Sequence, residues 1–122
     1  MKMKIIVLLA VMGLSTAASA DETNLPFQVL DQWKGKPVEE MTKALGSPTT
    51  VLSYTIGRAA TKNWNHSILF SVYPREKPEN KDVPIREFVW DQGKNEIRAC
   101  CHMTNGNWFV LGAMKLDKGV RF

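Results

Sequence analysis

From Asn24 to about residue 46, apolar positions recur every three or four residues; from Thr49 they come in alternating or continuous short runs. Helices are therefore predicted first and strands afterwards. A leading helix starts at Asn24-Leu25-Pro26-Phe27. Asn24 can cap it, Pro26 suits its first turn, Phe27, Leu30 and Trp33 line one side, and Gly35 ends it. Pro37 opens a second helix, with Glu39 and Glu40 near its positive end and Val38, Met41 and Leu45 as its apolar stripe. Lys43 lies toward its far end, Gly46 terminates it and Pro48 bars continuation.

Thr49 to Ile56 and Ser67 to Tyr73 read as strands joined by Gly57 to Asn65. Arg75 to Asp82, polar and hemmed by prolines, reads as a mobile surface loop between Pro74 and Pro84. The last third predicts a meander: strand Ile85 to Trp90, turn Asp91 to Lys94, strand Glu96 to Met103, hairpin turn Asn105-Gly106, and strand Asn107 to Met114. The whole is an α+β domain, with two short N-terminal helices packed on one face of a four- or five-stranded antiparallel sheet.

The first 20 residues form a different pattern. Lys2 and Lys4 precede an apolar run from Ile5 to Leu14, and small residues lead to Ala18-Ser19-Ala20. This is the pattern of a cleavable signal peptide, cut after Ala20, and the run is far short of the roughly 20 residues that span a bilayer. The expected product is one periplasmic or secreted domain over residues 21–122, with no transmembrane segment after cleavage. Without a Cys at the end of the apolar run, no lipid anchor is expected. Loss of Lys2 and Lys4 leaves 14 basic against 12 acidic residues, a net +2. That scattered balance argues against nucleic acid as a partner.

Gly35, Val38, Met41 and Leu45-Gly46-Ser47-Pro48, followed by the strand ending Phe88-Val89-Trp90-Asp91-Gln92-Gly93, resemble the SmpA/OmlA, or BamE-like, family. The resemblance implies helices on a curved antiparallel sheet, similar to each half of the β-lactamase inhibitory proteins, and an activity of binding without catalysis. It implies a protein partner in the cell envelope. Because the lipidation Cys is absent and Cys100-Cys101 is additional to the family pattern, a soluble relative with its own partner is expected.

Candidate chemistry is sparse. Cys100 and Cys101 are the two cysteines of the chain. On a strand they point to opposite faces, Cys101 with Ile97, Ala99 and Met103 on an apolar face, and Cys100 with Glu96, Arg98 and His102 on a polar one. Three readings stand: small apolar fillers with Cys100 partly exposed, a vicinal or intermolecular disulfide, and soft copper(I) ligation with His102, Met103 and Met114. Alternation across the strand opposes the third, so neither a metal nor another cofactor is expected. Neither His66 nor His102 has the companions of a hydrolytic site, and Gly-x-Ser-x-Gly, paired-His and phosphate-loop motifs are absent from the sequence.

The aromatics offer more for binding. Trp64, set between Asn63 and Asn65 and followed by His66, reads either as an interface anchor or as a cover for a sheet edge. Tyr54 and Trp108 join Trp64 and His66 as candidate partner-binding residues. The functional expectation is a non-enzymatic envelope adaptor. The alternatives are an inhibitor or immunity protein blocking a secreted wall hydrolase or β-lactamase, and thiol redox or copper handling through Cys100 and Cys101.

Overall fold

The computed structural model describes residues 27–60 and 63–118; the expected signal peptide and the expected helix start at Asn24 and Pro26 lie outside them. Five strands form one antiparallel sheet: β1 (Phe27–Val29), β2 (Thr50–Thr55), β3 (Pro84–Asp91), β4 (Asn95–Thr104) and β5 (Asn107–Asp117). Their order across the sheet is β1-β5-β4-β3-β2. Two helices accompany them, α1 (Val38–Leu45) and α2 (His66–Val72). The class is α+β, as the pattern predicts, but the helices do not both precede the sheet.

The first expected helix is instead β1 followed by a 3-10 turn over Asp31–Trp33. Its apolar residues are used as an edge: Phe27 pairs with Leu116 and Val29 with Met114. Leu30 N–H then donates to Ala113 O, and Gly35 N–H to Val110 O, so the segment stays laced to β5. Spacing of three residues fits both a helix and a strand that bends, and pairing with β5 decides between them.

α1 forms where its signals lie. Glu39 and Glu40 occupy its first turn and Lys43 its last, and the Gly46 N–H, at φ 90°, bonds Thr42 O at 2.8 Å. A positive φ at this stop suits glycine. Trp90 Nε1 donates to Gly46 O at 2.8 Å, pinning the helix end to β3. Asn105-Gly106 makes the β4–β5 hairpin with φ values of 53° and 82°, the left-handed pair a tight two-residue turn requires.

Ser67 to Tyr73, expected as a strand, is α2. Its run of Ile, Leu, Phe and Val has no periodicity that separates strand from buried helix over seven residues. Packing makes the choice. Ile68 sits on Gly112, with its Cδ1 2.7 Å from the point a Cβ there would occupy. Leu69 is fully buried beside Ile85, Cys100, Leu111 and Leu116.

The two segments expected as helices do meet one face, Leu30 and Trp33 lying in the cluster of Val38 and Met41, but α2, which was not expected as a helix, covers the other. Val38 and Met41 of α1 pack with Phe88, Trp90, Ile97, Ala99, Cys101 and Val110. α2 lies among the residues of the other face. The sheet is thus sandwiched between two helices, because both faces of β3, β4 and β5 carry apolar residues that must leave water. The loop from Pro74 to Pro84 is exposed but tied down: Asn80 Nδ2 donates to Pro74 O, Arg75 Nη1 to Ala59 O and Gly57 N–H to Lys81 O.

Candidate functional site

Two features stand out: a buried polar knot on the α2 face, and the edge strand β2, which among the described residues pairs on one side only. The knot centres on Glu87 of β3, only 2% exposed. Tyr54 Oη donates to its Oε1 at 3.1 Å and Trp64 Nε1 to its Oε2 at 2.8 Å. Arg98 Nη1 also donates to Oε2, while Arg98 Nε holds Glu96 at 2.6 Å. Asn65 Nδ2 closes the circuit onto Tyr54 Oη at 2.8 Å. A buried carboxylate persists only with such pairing. Burial first, and then the neighbouring Glu87 charge, push the Tyr54 phenol upward.

This knot corrects the reading of Trp64 as an exposed anchor. Its indole is 6% exposed and belongs to the core of the α2 face. The flanking Asn residues, which give the segment its polar look, serve it instead: Asn65 is itself buried, and the Asn63 carbonyl accepts the His66 N–H as α2 begins. His66 stands exposed on α2, edge-on to Phe70. Tyr54 is half-buried. Trp108 lies on the α1 face, half-buried beneath the Arg86 guanidinium, 4.6 Å from the ring centroid. The structure therefore joins Tyr54 and Trp64 in one network and leaves His66 and Trp108 outside it.

Cys100 and Cys101 are both free and both fully buried, on opposite sides of β4. The expected partial exposure of Cys100 is not found: it shares its face with Glu96, Arg98 and His102, but its own side chain is covered in the cluster that holds Leu69 of α2. An intermolecular bridge through Cys100 would need access that this burial removes. Burial pushes the Cys101 thiol up to about 12 and raises Cys100 further, the adjacent Cys101 adding to the effect. Among the described residues no cluster of three or more His, Cys, Asp or Glu side chains could hold a metal ion. His102 instead meets Tyr73, with Tyr73 Oη 2.6 Å from Nδ1.

The edge strand β2 is an ordinary strand by its residue pattern, and only its place in the sheet gives it interest. It pairs with β3 on one side, from Thr50 opposite Val89 to Thr55 opposite Pro84, and ends the sheet on the other. Ile56 N–H donating to Val83 O sets the alternation: the groups of Thr50, Leu52 and Tyr54 face β3, and those of Val51, Ser53 and Thr55 face outward. Val51 is 44% and Leu52 41% exposed. From Thr49 to Gly57 the chain carries no charge and no proline, the usual devices that blunt an edge. That composition is the one sequence signal for this feature. A signal for Glu87 exists too: it alternates with Ile85 and Val89 along β3, both of which are buried.

Among the described residues no helix is long and apolar enough to cross a membrane. Compared with family models, curated proteins and solved structures, the chain matches none.

Proposed function

We propose that this protein is a non-enzymatic binding module of the cell envelope that captures an extended, uncharged segment of a partner protein on the β2 edge. The observation that carries the reading is the unblunted β2 edge, with outward hydrogen-bonding groups at Val51, Ser53 and Thr55 flanked by exposed Val51 and Leu52 side chains. Strand addition supplies affinity through the main chain and selectivity through alternate side-chain positions. The commitment of Glu87, Tyr54, Trp64 and Arg98 to one another, and the burial of both thiols, support binding over catalysis. The BamE-like resemblance and the signal pattern support the envelope as compartment.

A photo-crosslinking residue at position 53, compared with one at exposed Lys43 on α1, tests the reading. A discrete envelope protein should crosslink from position 53 and disappear with Ser53→Pro introduced beside a crosslinker at position 51. Equal labelling from both positions would refute it.

A further inference from the structure

We propose that the β2 edge also pairs with the β2 edge of a second copy of this chain, antiparallel about a two-fold axis at Ser53, merging two five-stranded sheets into one. This rests on β2 being a binding edge and names the strand that occupies it when the purified protein is alone.

The edge is self-complementary in three respects. The first is hydrogen bonding. A two-fold axis at Ser53 places Ser53 opposite its own copy and Val51 opposite Thr55 of the second copy. These are the residues whose N–H and C=O point outward, so each meets a matching group. The second is side-chain fit. On the α2 face the axis sets Leu52 against Tyr54 of the second copy, an aliphatic–aromatic pair, and it covers a Leu52 that is 41% exposed. On the α1 face Val51 meets Thr55, both β-branched, and Ser53 meets its own copy.

The third is charge. A homodimeric strand pair sets each charge near its own like charge, and β2 has none from Thr49 to Gly57. The opposite edge contrasts with it. Among the described residues β1 spans three, Phe27–Val29, and a short edge strand is a poor template. A six-residue strand pair is a small interface, so the dimer forms in the micromolar to sub-millimolar range and exchanges readily.

Because the axis passes through position 53, charge at that position gives a symmetric test on the full processed chain. Sedimentation velocity from about 10 μM to about 1 mM should show a monomer–dimer equilibrium for the wild type. Ser53→Lys and Ser53→Glu should each weaken it at least about tenfold, and mixing the two should restore a one-to-one heterodimer. Ser53 is an exposed edge position whose N–H serves no partner in β3, so both variants keep the fold, checked by an unchanged circular dichroism spectrum and melting profile.

A wild type that is monomeric throughout, a dimer insensitive to both substitutions, or a mixture no tighter than its components would each overturn the proposal. The envelope reading is separable. Crosslinking of an envelope protein from position 53 of a strictly monomeric wild type leaves that reading standing and sinks self-pairing. A charge-sensitive dimer with no envelope crosslink supports self-pairing and sinks the envelope partner.

Discussion

Replacing Glu87 by Gln probes the knot that joins β2, β3, β4 and the approach to α2, with almost no change in volume. The carboxylate offers two acceptor oxygens to Tyr54, Trp64 and Arg98. Gln offers one oxygen and one NH2. If the amide oxygen faces Trp64 and Arg98, the amino group meets Tyr54 Oη, which already accepts from Asn65 at 2.8 Å. The phenol proton then has no partner. With the amide reversed, Trp64 Nε1 and the Arg98 guanidinium face a donor instead.

Either way at least one buried donor is orphaned, costing about 1–3 kcal/mol, and the charge-assisted bond from Arg98 loses roughly another 1 kcal/mol. Arg98 keeps Glu96 and is 26% exposed, which limits the second loss. The expected destabilisation is about 2–4 kcal/mol, or a fall in Tm of roughly 8–32 °C for a domain of this size. Denaturant unfolding with an unchanged m value, alongside calorimetry, measures it. A Glu87→Gln protein within about 0.5 kcal/mol of wild type would show that the knot is not a structural determinant, and with it the account of Trp64 as a core residue would lose its energetic basis.

The remaining predictions concern packing, thiols and pH. Gly112→Ala places a methyl into Ile68 and should cost about 1–3 kcal/mol. Adding Ile68→Val, which removes the Cδ1 at 2.7 Å, should recover part of it, and strict additivity of the two losses would refute the contact. Cys100 and Cys101 should resist alkylation near neutral pH in the folded protein and react once it is unfolded. With the Cys101 thiol at about 12, its thiolate is about a thousandfold scarcer than in a free cysteine. Intact mass after iodoacetamide checks this, and rapid native labelling would contradict the burial. Burial lowers the His102 pKa, so the unfolded chain binds its proton first as pH falls. The His102 contribution is therefore complete above the unfolded value of about 6.5 and is lost as pH falls through the lower folded value. His102→Gln should flatten stability against pH in that window, and an equal slope in both proteins would exclude the effect.

Elements whose identity rests on local chemistry are legible from the amino-acid sequence alone. The Gly46 stop, the Asn105-Gly106 turn and the extended apolar runs of β3, β4 and β5 each depend on residues within a few positions of one another. Backbone φ at glycine and the two-residue period of a strand act locally, so sequence conveys them. The α+β class and the antiparallel sheet follow from those elements.

What sequence leaves open depends on partners distant along the chain. Phe27 to Trp33 has helical spacing, yet β5, more than 80 residues away, recruits its start as an edge strand. Ser67 to Tyr73 fits strand or helix, and the hollow at Gly112 selects the helix. The polar residues around Trp64 point to solvent by composition, but Glu87 and Tyr54, contributed by two other strands, meet them inside. The second face of the sheet, and with it the burial of Cys100, exists only because α2 folds over it. Local sequence thus determines which turns and strands can form. Long-range packing alone decides which faces leave water, and which strand, here β2, ends the sheet among the described residues.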